Sequence, residues 1–228
     1  MDEIHDDQLT QYGSEFLSQI KEFGTLRSMF EFNNLFFDLI LNQTIDKYIN
    51  SILTDTAILH LQNGIVVFPN VSHNQSKYHK DFAKPFLSNR PLSLNTFIII
   101  DDFTPETGST FIIPGSHLFE KMPSEKYLKE NAVQINAVPG DVLIFDSTLW
   151  HCSGVNSSGK IRRAINQQFT YPFIKQQLDY PGYLSKKVNI DYESKLAQRL
   201  GFWTVPPKGV GEYRVSDPKL RTYRSGQG

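Results

Sequence analysis

Apolar residues along this chain follow one spacing before about residue 55 and another after it. From about residue 7 to 53 they recur every three or four positions, the interval that gives a helix one buried stripe. In "NNLFFDLILNQTIDKYINSIL" that stripe is Leu35, Phe36, Leu39 and Ile40, followed by Ile45, Tyr48, Ile49 and Ile52. Asn33 and Asn34 precede it as candidate caps. Beyond Asp55 the apolar runs are short, β-branched and punctuated by Gly and Pro, which predicts strands and turns. "AILHLQNGIVVFPN" reads as paired strands broken at Gly64 and Pro69, and "LSLNTFIIIDDF" as a buried strand over 92–103. A turn at Pro105 to Gly108, a strand over 109–113 and a turn at Pro114 and Gly115 follow. "EKYLKEN" reads as a short helix. "AVQINAVPGDVLIFDSTLWHCSG" reads as two strands joined by Pro139, Gly140 and Asp141, and "KIRRAINQQFTYPF" as one more, ending at Pro172. A last helix is expected in "DYESKLAQRLGF", before a polar tail from about 206.

Six to eight short strands behind a helical lead-in predict a mainly-β fold, best met by a jelly roll with α-helices flanking it at both chain ends. No repeat or low-complexity linker interrupts the chain. One domain is therefore expected over 1–228: lead-in 1–54, jelly-roll core 55–175, and C-terminal helix and tail 176–228. Composition narrows the function classes. Lys plus Arg (23) balance Asp plus Glu (24), for a net charge of -1, so no basic surface points to nucleic acid. The single Cys152 excludes an internal disulfide. The first twenty residues lack a signal pattern and no apolar run approaches a membrane span, so a cytoplasmic protein with no membrane partner is expected. Seventeen Phe and ten Tyr suit a β-rich core.

The candidate chemistry starts at "SKYHKDFAKPF". Were "KYHKDF" extended, its period of two would point His79 and Asp81 to one face. A third ligand must come from elsewhere, and His151 in "DSTLWHCSG", 70 residues beyond Asp81, follows an apolar strand that could deliver it. Two histidines and one carboxylate with open positions form the facial triad of non-haem Fe(II) oxygenases. A 2-oxo-acid co-substrate would need a cation for its far carboxylate. In "GKIRRAINQQFT" alternation sets Arg162, Ala164, Asn166, Gln168 and Thr170 on one face and Arg163, Ile165, Gln167 and Phe169 on the other. One arginine then points inward, where its planar fork binds a carboxylate better than a lysine does. The alternation does not say which. Gln62, Asn63 and Asn95 are polar positions in apolar strands, and with Asn166 and Gln168 they divide between ligand contacts and buried hydrogen bonds. His5 and Asp7 repeat the H-x-D letters without a strand or a third ligand, His117 in "PGSH" follows a turn and is expected to make a structural hydrogen bond, and His60 and His73 carry no pattern.

The series "HKD", "DDFTPETGSTFIIPGSH" and "PGDVLIFDSTLWHCSGVNSSGKIRRAINQQFTYPF" resembles the phytanoyl-CoA dioxygenase family of Fe(II)- and 2-oxoglutarate-dependent oxygenases over about 55–175. The resemblance implies a double-stranded β-helix of cupin type, with iron held by His79, Asp81 and His151. It implies that Arg162, 11 residues after His151, binds the far carboxylate of 2-oxoglutarate, and that Ser153 shares it. Fe(II), 2-oxoglutarate and O₂ are then expected, with hydroxylation of a small-molecule substrate and release of succinate and CO₂. Relatives that halogenate carry a small residue in place of the aspartate, so retention of Asp81 speaks against that outcome. Two other readings compete. One is a jelly-roll module that binds a sugar or other small molecule without turnover. The other is a Zn(II)-dependent hydrolase, since the same three ligands can activate water. Lys80, Lys84 and Arg90 would favour an anionic substrate if they lay at the mouth; a solvated loop is the plainer expectation.

Overall fold

Two antiparallel sheets enclose a cavity in the computed structural model, which describes residues 1–71, 73–82, 88–215 and 223–224. The larger sheet has the strand order β1 (Thr25–Arg27), β2 (Ile58–Val67), β8 (Arg162–Thr170), β3 (Ser93–Ile99), β6 (Val142–Asp146). The smaller has the order β5 (Val133–Gln134), β4 (Thr110–Ile112), β7 (His151–Ser153). Strands distant in sequence lie side by side, as a jelly roll requires, and the mainly-β expectation holds. Among the described residues no helix is long and apolar enough to cross a membrane.

Register decides which side chains meet. Asn63 lies opposite Asn166, which lies opposite Phe97; one step along, Leu61, Gln168 and Asn95 form the next row. These rows face the smaller sheet. The intervening row of Gln62, Gln167 and Thr96 faces the other way. That outer face carries the main hydrophobic core, in which Leu94, Ile98, Ile165 and Phe169 pack with Phe30, Phe37, Ile40, Ile45 and Ile49 from the N-terminal segment. Helices therefore cover one face of the large sheet and leave the other to form the cavity.

The lead-in departs from the expected run of helix. It comprises α1 (Asp2–Tyr12), α2 (Ser14–Gln19), the edge strand β1, a 3-10 turn, α3 (Leu35–Ile40) and α4 (Gln43–Ile52). Thr25, Leu26 and Arg27 pair with Ile65, Gly64 and Asn63, so the open edge of the sheet recruits three residues as strand although Leu and Arg by themselves favour helix. The stripe over 35–52 breaks at Asn42, whose Oδ1 accepts the backbone N–H groups of Thr44 and Ile45 at 3.1 Å and so starts a new helix. Leu35, Tyr48 and Ile52 consequently turn outward. Asn33 accepts the N–H of Leu35, whereas Asn34 makes no side-chain cap.

"AILHLQNGIVVFPN" forms a single strand and not a pair. Gly64 sits within it because a Cβ there would lie 2.7 Å from Met29 Sδ and 3.0 Å from Leu26 Cβ. The helix expected in "EKYLKEN" is α5 (Glu125–Asn131), and near the C terminus α6 (Tyr180–Leu184) and α7 (Lys195–Arg199) close over the core. Arg199 is fully buried, with Nε 2.9 Å from Asp46 Oδ1 and further bonds to Asn50 and the Ala57 carbonyl. Arg199→Met leaves Asp46 without its ion-pair partner. It is expected to lower stability by about 3 kcal/mol, read as a shift of the urea midpoint at unchanged slope.

Candidate metal centre

His79 and His151 are brought together by their own backbones. Each N–H donates to the carbonyl of the other, at 3.0 and 3.1 Å, in a single antiparallel bridge. Residues 78–82 are thus not a regular strand; one bridge does the aligning. The imidazole centroids lie 4.4 Å apart, and the ligand atoms of His79, Asp81 and His151 all fall within 4.8 Å of one another. Asp81 Oδ1 is 3.5 Å from His79 Nε2, and Oδ2 is 3.6 Å from His151 Nε2.

A second tie runs through the residues between and beside them. Lys80 Nζ donates to the carbonyl of Phe119 at 2.6 Å, and Trp150 Nε1 donates to the same oxygen at 3.4 Å. The residue between the first two candidate ligands and the residue before the third are pinned to one point. Lys80 is accordingly buried and neither a mouth cation nor a solvated one. Arg90 is exposed, and Lys84 lies outside the described residues. Lys80→Met is expected to weaken Mn(II) binding by about tenfold, the lower end for loss of an outer support, as followed by EPR of the free ion.

The ring nitrogens are already sorted. His79 Nδ1 lies 2.8 Å from the Lys77 carbonyl and His151 Nδ1 lies 2.9 Å from that of Leu149. A carbonyl only accepts, so each Nδ1 carries the proton and each Nε2 turns its lone pair to the cluster. His79 Nε2 is buried and has no hydrogen-bond partner among the described residues. Such an orphan is unfavourable unless something else fills its place. Burial pushes His151 below its ordinary pKa and so favours the neutral ring a metal needs. At His79 burial acts the same way, but Asp81 more than offsets it, so a cation there competes with a proton. Burial alone would raise the Asp81 carboxyl; the two imidazoles and the Asn95 amide outweigh it and hold it at about 2. Two neutral nitrogens and one ionised oxygen suit Fe(II) or Zn(II), and the small cluster leaves further positions open.

Arg162 is the inward arginine. Its neighbour Arg163 points out and pairs with Asp2 and Asp101. Arg162 is 1% exposed, its guanidinium carbon 4.4 Å from the Phe103 ring centre, and its Nη2 donates to Ser153 Oγ at 2.8 Å. Nε and Nη1 have no partner among the described residues. Burial brings its pKa down to about 10, so it stays charged at neutral pH. Ser153 is placed by the turn before β4, where its Oγ contacts the Gly108 carbonyl at 3.3 Å. Gly108 has φ 71° and lies against Gly154 and Asn156, where a Cβ would be 2.7 Å from backbone, so only glycine fits.

His79, Asp81, His151, Ser153, Arg162 and Asn166 all line one cavity of about 210 Å³. Asn95 meets it through Asp81 and Asn166, to both of which its amide donates. Gln168 is buried further along β8, bonded to Ser93. Gln62 does not reach the cavity: β2 turns it to the outer face, where it donates to the Phe36 carbonyl at 2.9 Å. Its neighbour Asn63 takes the inward position, so the polar signal in that strand was one residue away. The sequence reading missed Arg27, which lines the cavity, pairs bidentately with Glu22 and donates to Asn63 Oδ1. Gly24 and a β-branched Thr25 were the only hints of a strand there. His5 is a packed helix residue against Phe23 and Phe68, and His73 caps a 3-10 turn.

Known proteins resemble this chain in sequence and in fold. A family model described as phytanoyl-CoA dioxygenase (PhyH) matches residues 2–164. An uncharacterized protein of Mycobacterium tuberculosis is 40% identical over 225 residues, covering 96% of this chain and 82% of its own. The dioxygenase andF of Emericella variicolor is 29% identical over 153 residues, covering 65% of this chain and 51% of its own. Among solved structures, EctD from S. alaskensis with bound Fe superposes with a TM-score of 0.56 at 20% identity, over 67% of this chain and 58% of that one. The non-heme monooxygenase ThoJ, in its apo form, gives 0.56 at 14% identity over 77% and 71%. Both share the jelly-roll fold.

Proposed function

Because the chain belongs to the phytanoyl-CoA dioxygenase family, and is thereby an oxygenase, we propose that it is an Fe(II)- and 2-oxoglutarate-dependent dioxygenase that hydroxylates a small-molecule metabolite and releases succinate and CO₂. One observation carries the finer reading. The cavity holding the His79, Asp81 and His151 cluster also holds a buried guanidinium with two nitrogens unpaired.

His79 and His151 would hold the metal through Nε2 and Asp81 through one carboxylate oxygen. Bound iron supplies the redox chemistry that couples O₂ to oxidative decarboxylation of a 2-oxo acid. Arg162 Nη2 keeps one N–H beyond the bond to Ser153, and that N–H lies parallel to one on an unpaired neighbour, Nη1 or Nε, forming the fork that grips a carboxylate. Ser153, already bonded to Nη2, fixes the plane of that fork. Phe103 beneath the guanidinium keeps water from its face, which strengthens the charge for a ligand. Asn166 and Asn63 add polar contacts to the cavity wall.

A zinc hydrolase uses the same three ligands but leaves Arg162 without a task. A non-catalytic sugar site explains neither the sorted ring nitrogens nor the unpaired guanidinium. The test is succinate formation from 2-oxoglutarate with Fe(II) under reducing conditions. Turnover is expected with Fe(II), lost on chelation, restored by Fe(II) and not by Zn(II). Protein loaded with Fe(II) that forms no succinate would refute the proposal, and hydrolysis supported by Zn(II) would favour the alternative.

A further inference from the structure

Behind Asp81 lies a run of four buried polar side chains that the proposed chemistry leaves without a role. Gln168 Nε2 donates to Ser93 Oγ at 2.8 Å, Ser93 Oγ lies 2.8 Å from Ser147 Oγ, and Ser147 Oγ donates to Asn95 Oδ1. Asn95 Nδ2 then donates to Asp81 Oδ2 and, at 3.0 Å, to Asn166 Oδ1. Gln168, Ser147 and Asn95 are 0% exposed and Ser93 1%, so water does not compete for these bonds.

The direction of the run is not free. Ser147 has one proton and gives it to Asn95, so the proton between the serines belongs to Ser93. Every donor therefore points toward Asp81. A lone asparagine amide can turn over and exchange its oxygen and nitrogen. This one cannot do so cheaply, because a flip would set Oδ1 against the Asp81 carboxylate and Asn166 Oδ1, which both repel it, and would force the serine hydroxyls of the run to reverse. The amide is locked as a donor to Oδ2, which leaves Oδ1, on the His79 side, as the oxygen free to ligate.

We propose that Asn95 is a positioning residue that orients the Asp81 carboxylate to take the metal through Oδ1 alone, and that Gln168, Ser93 and Ser147 serve to orient Asn95. The proposal rests on the reading of His79, Asp81 and His151 as a metal centre. It moves Asn95 and Gln168 from candidate ligand contacts to supports of the ligand set. Outer supports of this kind alter metal affinity by about 10–100-fold.

The test uses the full-length metal-free protein, with Mn(II) affinity followed by EPR and the visible spectrum taken at saturating Co(II), which reports ligand geometry. Asn95→Leu keeps the volume and removes the donor. It is expected to weaken Mn(II) binding by about 10–100-fold and to change the Co(II) spectrum. Ser147→Ala keeps Asn95 but frees its amide to turn, and a smaller loss, about five- to tenfold, is expected there. Asn95→Leu with wild-type affinity and an unchanged spectrum overturns the proposal. Should that variant not fold, unchanged affinity in Ser147→Ala overturns it instead. A wild-type protein that binds neither ion overturns the metal-centre reading and this inference with it. A wild type that binds, with variants that bind equally well, overturns this inference alone.

Discussion

Asp81→Asn is expected to abolish measurable succinate formation, with Mn(II) affinity and turnover each falling by about 10³-fold or more. The substitution is nearly isosteric and removes the one negative charge from the cluster, leaving two neutral imidazoles to hold a dication. Unit charges 4 Å apart at an effective dielectric near 20 interact by about 4 kcal/mol, and a dication at bonding distance feels more. Part of that gain is offset by the desolvation of both ions, so about 4 kcal/mol is a moderate net value. It corresponds to about three powers of ten. The fold should be untouched, because the backbone bridge between His79 and His151 and the Lys80 and Trp150 ties do not involve this carboxylate. Isothermal titration with Mn(II), beside a succinate assay, checks both numbers. Turnover near the wild-type rate would remove Asp81 from the ligand set.

Arg162→Met is expected to act in opposite directions on binding and on stability. The remaining N–H of Nη2 and that of one unpaired neighbour would each make a charge-assisted bond to the far carboxylate of 2-oxoglutarate, worth roughly 1.5–3 kcal/mol apiece. Losing both raises KM for 2-oxoglutarate by about 10²–10⁴-fold, with a smaller effect on kcat at saturation if the guanidinium binds ground and transition states alike. The empty protein, by contrast, keeps a buried cation whose only side-chain acceptor among the described residues is Ser153. A methionine of similar reach removes that unpaired charge, so the ligand-free melting temperature is expected to hold or rise. In the wild type 2-oxoglutarate should raise the melting temperature, and in the variant it should not. A variant that melts lower without ligand yet binds 2-oxoglutarate normally would make Arg162 a structural residue.

Several features of the site were legible before any coordinates. The period of two along "KIRRAINQQFT" puts Arg162 and Asn166 on one face, and the sheet keeps that alternation without a break from Arg162 to Thr170. The same rule failed at Gln62 for want of an anchor. Period two says that Gln62 and Asn63 face opposite ways, but not which way is inward, and a bulge between Leu59 and Leu61 resets the phase upstream. Arg27 was hidden for another reason. Three residues are too few to show a period, and β1 exists because the edge of β2 was there to pair with.

Ligand types, their order along the chain, the inward arginine's two candidates and the jelly-roll class all follow from local chemistry, since side-chain alternation, turn residues and donor atoms belong to short stretches. Arg162 was singled out from Arg163 by the resemblance and not by alternation. The convergence of His79 and His151, the tilt of Gln62 away from the cavity and the Gln168-to-Asp81 hydrogen-bond run belong to the tertiary structure. Each depends on register between strands far apart in the chain, and register is settled by the packing of whole faces against helices and against the second sheet. No local segment contains that information.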